Sequence, residues 1–258
     1  MMEIFSAEAI GALVTLTFLE IVLGIDNIIF ISIAAGKLPD KLRKKATNIG
    51  LILAMVLRII LLFGISYLIK MQKPWFSIEN DWINTHVTGQ SLILIAGGLF
   101  LLYKSTKEIH EKIEDKGHDE REVREHRSNT LRSAILQITL INIVFSFDSI
   151  LTAIGMTNGL DGALTLMIIA VVLSVLIMML FANPVGEFVN KHPSIQVLGL
   201  SFLILIGFML IAEGAHLSHT VMFQQEIGSI PKGYLYFAIS FSLLVEFLNM
   251  KMRKNSTV

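Results

Sequence analysis

Cysteine is absent from the 258 residues, which removes disulfides, thiolate metal sites and a cysteine nucleophile together. Charge is scarce too: 16% of residues are Asp, Glu, Lys or Arg, and they cancel to a net charge of zero. A balanced chain has no electrostatic footprint for nucleic acid. No Lys or Arg precedes the first apolar stretch; the opening MMEIFSAEAIG is acidic. That is the wrong n-region for a cleaved signal peptide, so the stretch reads as a retained span. What is present is apolar, with 53% hydrophobic residues and a mean hydropathy of +0.68. A water-soluble domain of this size does not normally carry that composition.

A bilayer core takes about 20 apolar residues per helix. Seven stretches qualify, roughly 9–35, 47–69, 87–105, 133–157, 162–183, 196–216 and 233–250. Seven spans put the two ends on opposite sides. Seventeen of the Lys and Arg residues fall on the side of the C-terminus, three (Lys70, Lys73 and Lys232) fall on the other, and Arg58 alone lies inside a span. The positive-inside rule then sets the N-terminus outside and the C-terminus in the cytoplasm, across the inner (plasma) membrane. Segments 37–46 and 104–132 become cytoplasmic, and 70–86 and 217–232 external. The 104–132 segment carries eight acids and eight bases, with i,i+4 pairs such as Glu108/Lys112 and Glu120/Arg124, and reads as a solvated extension of the third helix. Its three histidines, His110, His118 and His126, make a pH or metal sensor a lesser reading.

The third, fifth and sixth spans carry no Asp, Glu, Lys or Arg across their middle. The first carries Glu20, Asp26 and Asn27, the second Arg58, and the fourth Asn142, Asp148 and Ser149. A charge at mid-membrane costs a few kcal/mol, so such residues face a cavity and have partners. One arginine cannot neutralise three carboxylates: Glu20, Asp26 and Asp148 leave a surplus of two negative charges, which protons or a cation must supply. A purely structural Arg58–carboxylate lock is the competing interpretation.

An internal repeat connects these positions. Residues 17–28, TFLEIVLGIDNI, set against 139–150, TLINIVFSFDSI, share five of twelve residues at an offset of 122. Glu20 then faces Asn142, Gly24 faces Ser146 and Asn27 faces Ser149, the same helical positions in both copies. A weaker echo joins LFLLYK (99–104) with FMLIAE (208–213). The fold expected is therefore all-α: one polytopic transmembrane domain over 1–258, with an inverted 3+3 helix repeat and one C-terminal helix. Repeat one runs about 9–110, the cytoplasmic charged loop about 104–132, repeat two about 133–219 and the seventh helix about 233–250. Inverted repeats with polar facing helices mark a secondary transporter whose site lies between the copies. On unbroken helices Asp26 and Asp148 sit roughly 6–9 Å apart along the membrane normal. Two readings follow: the helices unwind at Gly24 and Ser146 and both carboxylates converge on one ion, or the aspartates are successive stations on a pathway.

The candidate ligands within the membrane are all oxygens, from carboxylates, the Asn27 and Asn142 amides and the Ser149 hydroxyl. Hard ligands suit Mg²⁺, Ca²⁺ or Mn²⁺, and two surplus charges match one divalent ion. No tightly bound cofactor is expected. The partners expected are a divalent metal ion and the lipid bilayer; the oligomeric state stays open. Glu213 and His216, three residues apart near the outer end of the sixth span, are an outer station for the ion or a solvated helix end. Glu246, with Asn249, reads as an interfacial anchor, and Trp75, Trp82 and Pro74 as an outer aromatic belt.

LEIVLGIDNIIFIS (19–32), NIVFSFDSILTAIG (142–155), GGLFLLYKSTKEIH (97–110) and IPKGYLYFAISFSLLVEFLN (230–249) resemble the signature segments of the TerC family, named for tellurium resistance. The resemblance extends over nearly the whole chain. It implies a seven-span protein akin to manganese exporters of the LysE superfamily, with Asp26 and Asp148 as the ion-handling acids and Asn27 and Glu20 close by. Two other readings compete: a non-transporting membrane assembly or metal-supply factor, and an intramembrane aspartyl protease in which two aspartates share a proton. Glu20, Arg58 and the inverted symmetry are nothing a proteolytic dyad requires.

Overall fold

The computed structural model describes residues 7–64, 71–80, 82–114, 131–157 and 162–255. Among them are seven long helices: α1 (Ala7–Gly36), α2 (Asp40–Phe63), α3 (Gly89–Glu114), α4 (Leu131–Thr157), α5 (Ala163–Lys191), α6 (Pro193–Leu217) and α7 (Lys232–Asn255). Each coincides with one of the apolar stretches over most of its length. Five contain segments long and apolar enough to cross a membrane: Lys41–Phe63, Leu131–Thr157, Ala163–Lys191, Pro193–Leu217 and Lys232–Arg253. In hydrocarbon a backbone must satisfy its own hydrogen bonds, so uninterrupted helix is the form such segments take. α5 runs on past its apolar stretch and through Pro184, and stops where Pro193 opens α6 at its first turn.

The fold is mostly helical, as expected, and adds four short antiparallel strands that the all-α reading did not include, β1 (Pro74–Glu79), β2 (Ile83–Thr88), β3 (Val221–Met222) and β4 (Gln225–Glu226), paired in chain order. Asn80 Oδ1 accepts the N–H groups of Trp82 and Ile83 at 3.0 and 2.7 Å and closes the first hairpin. β2 passes directly into α3 through a reciprocal cap: Ser91 N–H donates to Thr88 Oγ1 and Thr88 N–H to Ser91 Oγ, both at 3.0 Å. The end of α6 is bonded to the same strand, with His86 N–H donating to Ser218 O at 2.8 Å and Thr85 and Thr220 hydroxyls 2.8 Å apart. Trp75 and Trp82 are exposed on this sheet, and Trp82 meets Phe223 edge to face at 5.9 Å.

The chain divides into two compact units, Met1–Lys73 with His118–Asn190, and Pro74–Gly117 with Lys191–Val258. The first holds α1, α2, α4 and α5. Within it, α1 and α5 meet at small residues: an added Cβ at Gly24 would fall 2.2 Å from Met178 Sδ, at Gly186 3.0 Å from Ser32 Oγ, and at Gly36 2.4 Å from Asn190 Oδ1. The spacing between partners is the same each time, so the two helices run parallel. α2 and α4 do likewise, through Gly50 against Ile138 and Arg58 against Ser146.

The second unit holds α3, α6, α7 and the sheet. α3 and α6 cross antiparallel at two glycines, because an added Cβ at Gly98 would lie 2.5 Å from Gly207 O and one at Gly207 2.9 Å from Gly98 O. Ser91 O is equally close to Gly214. No side chain separates the two backbones at the crossing, the close approach that small residues permit between membrane helices. Further along, Lys112 Nζ donates to Gln196 Oε1.

Candidate functional site

The polar centre of the first unit is built by three helices. Arg58 from α2 donates through Nη1 to Glu20 Oε2 of α1, and through Nε to Ser146 Oγ of α4 at 3.3 Å. Both charged side chains are buried, 7% exposed for Glu20 and 8% for Arg58. Ser146 passes the chain of bonds to the backbone by donating to Asn142 O at 2.6 Å. Asn142 Nδ2 donates to Ile138 O at 2.8 Å and Ser149 Oγ to Ser146 O at 3.1 Å, so each satisfies its own helix. A buried ion pair needs such additional partners to offset its desolvation.

Glu20, Asn142, Ser149 and Arg58 are thus assembled in one unit. Asp26 and Asn27 lie six and seven residues beyond Glu20 in α1, and Asp148 two residues beyond Ser146 in α4; their side chains lie outside the described residues. α1 and α4 are helical without interruption past Gly24 and Ser146, which corrects the unwound alternative. Gly24 serves close packing on Met178 instead. Among the described residues no three His, Asp or Glu side chains group to hold a metal. Ser146 is the member of this polar centre that sequence reasoning passed over; its signal was its alignment with Gly24, read there as a place of unwinding.

In the second unit, Glu213 and His216 stand in the last turns of α6, both half-buried, and His216 Nδ1 is a buried atom without a hydrogen-bond partner. The charged end of α3 differs from a wholly solvated extension. Glu108 is buried and pairs with Lys104 at 2.9 Å. Lys107–Glu111 and His110–Glu114 are the exposed i,i+4 pairs that were expected in kind. Glu120, Arg124, His118 and His126 lie outside the described residues. Glu246 on α7 has Arg253 3.8 Å away.

A family model described as integral membrane protein TerC family matches residues 5–257. The chain belongs to the TerC family. It is 44% identical to the UPF0053 inner membrane protein YgdQ of Escherichia coli, over 95% of this chain and 94% of that one. It is 43% identical to a UPF0053 protein of Haemophilus influenzae, over 96% and 95%. The UPF0053 inner membrane protein YoaE of Escherichia coli is 42% identical over 98% of this chain, which covers 45% of that longer protein. No solved structure matches. Family and helices together make this TerC member a multi-pass integral membrane protein.

Proposed function

We propose that this TerC protein is a secondary transporter that exports a hard divalent cation, manganese(II) first among them, across the bacterial inner membrane, with its N-terminus outside and its C-terminus in the cytoplasm. The observation that carries the reading is the buried Glu20–Arg58 pair held by Ser146. It consumes one carboxylate with the one arginine found within a span. Asp26 and Asp148 then remain on α1 and α4 as two negative charges, the charge of one divalent ion. The carboxylates and the amides and hydroxyl of Asn27, Asn142 and Ser149 are hard donors suited to such an ion.

Helix pairing supports an inverted repeat. The first helix of each sequence repeat packs parallel on the second helix of the other, α1 on α5 and α4 on α2. The third helices, α3 and α6, cross at Gly98 and Gly207, the residues immediately before the two halves of the weaker sequence echo. Transporters of this architecture bind between their repeats.

The test is total cell manganese under Mn²⁺ challenge. Asp26→Asn and Asp148→Asn each keep side-chain size and remove one charge, so each variant accumulates manganese as a null strain does, at normal membrane abundance. Glu246→Gln retains export. Normal efflux in both aspartate variants would defeat the reading.

A further inference from the structure

Two cavities lie within the four-helix unit, and the ion pair stands at their boundary. One, of about 10 Å³ and so with room for about one water molecule, is lined by Ala54 and Arg58 of α2, Asn142 and Ser146 of α4, and Val175 and Met178 of α5. The other, also of about 10 Å³, is lined by Glu20 of α1, Leu62 of α2, Ile150 and Ala153 of α4, and Met167 and Ala170 of α5. Along α2 and α4 the second cavity follows the first by one to two turns. Along α5 it precedes the first. Only three residues, 37–39, join α1 to α2, so those two helices run in opposite directions, and α5 is parallel to α1. All three helices therefore give one order, and the cavities are stacked along the helix axes.

Arg58 lines the first cavity and Glu20 the second, so the bond between them closes the step from one to the other. Glu20 and Asn142, aligned in the sequence repeat, each line one cavity. The first cavity offers Asn142, Ser146 and the guanidinium; among the side chains lining the second, Glu20 alone is polar. The one polar side chain that lines the second cavity is thus already held by Arg58. An unpaired charge in so apolar a space is costly.

We infer that the Glu20–Arg58 pair is an internal gate between the two cavities, opened when a cation takes the place of the guanidinium on Glu20. The carboxylate keeps a positive partner throughout, and the displaced guanidinium keeps its bond to Ser146 Oγ on the polar side of the first cavity, beside Asn142; the second charge of a divalent ion is left for the other carboxylates of the path, Asp26 and Asp148. The inference rests on the reading of the chain as a cation transporter and adds the order of events at its centre.

The absence of native cysteine makes the test clean. Ala54→Cys reports on the first cavity and Ala153→Cys on the second, through reaction with a membrane-impermeant methanethiosulfonate reagent in intact cells and in inside-out vesicles. With the pair intact, each cysteine reacts from one face, and the two faces are opposite. In Glu20→Gln, and in Glu20→Gln/Arg58→Gln, which strands no buried charge, each cysteine also reacts from the other face, about tenfold faster than before, the scale of one lost charge-assisted bond. MnCl₂ added to the intact pair raises the same wrong-face rate, and choline chloride at equal ionic strength does not. One-sided labelling in the double variant at wild-type abundance overturns the gate, and indifference to MnCl₂ overturns the exchange step. Labelling requires no net efflux. Breached labelling without manganese export would defeat the proposed substrate and leave the gate standing. Manganese export with unbreached labelling would do the reverse.

Discussion

Arg58 makes one guanidinium serve two helices, since its Nε and Nη1 reach Ser146 and Glu20 respectively. Removing one partner of a buried pair leaves the other charge uncompensated, which costs about 3–5 kcal/mol. Arg58→Leu and Glu20→Gln are each expected to lose stability on that scale. The double variant Glu20→Gln/Arg58→Leu is expected to recover a large part of it, because no charge remains buried. Arg58→Lys keeps the charge but not the planar fork, so its midpoint falls between wild type and Arg58→Leu. Thermal unfolding midpoints of the detergent-purified proteins, read as a double-mutant cycle, check the set; equal losses in single and double variants would mean that the pair carries no coupling. Of this site, the sequence made legible that Arg58 needs a carboxylate and that three were in reach on neighbouring spans. It did not select Glu20, because which faces of α1 and α2 meet depends on packing along the whole length of both helices.

At the scale of elements, glycine decides how closely helices approach, and three glycines differ in what an added methyl would meet. At Gly98 an added methyl meets a backbone carbonyl, Gly207 O, and cannot be accommodated without moving α6 away from α3. At Gly24 it meets the mobile end of Met178, and at Gly11 nothing lies within 4 Å. Gly98→Ala is expected to cost about 1–3 kcal/mol by overpacking, Gly24→Ala less, and Gly11→Ala nothing measurable. Unfolding midpoints ranked in any other order would show that the α3–α6 crossing is looser than the structure has it. The strands are the element missing from the sequence reading. PWFSIE and INTHVT are short, rich in aromatic and β-branched residues and separated by the three residues Asn-Asp-Trp, a strand signal in isolation. Assigned wholesale to an external loop, that signal was given no weight.

For the whole molecule, the two units cut across the two sequence repeats: the first two helices of both repeats share one unit, and the third helix of each lies in the other. The polar centre belongs wholly to the first unit. The orientation of the chain is tested by labelling single cysteines with an impermeant reagent. Ser77→Cys, exposed on β1, is expected to react in intact cells, and Asp115→Cys only after permeabilisation. Reaction of position 115 from outside would overturn the orientation and, with it, the direction assigned to export.

The positions of the long helices, the placing of polar residues within them and the repeat that aligns Glu20 with Asn142 were all determined by the sequence alone. Each depends on local composition, and a backbone deprived of water has few alternatives to helix. The tertiary structure decided what depends on contact: the choice of Glu20 by Arg58, the part of Ser146, the glycine crossing of α3 and α6, the sheet joined to both of those helices, and the stacking of two cavities about one ion pair. Those outcomes come from the rotation and register of whole helices against one another. No window of sequence encodes them, because each is fixed by the sum of many weak packing terms spread over residues far apart in the chain.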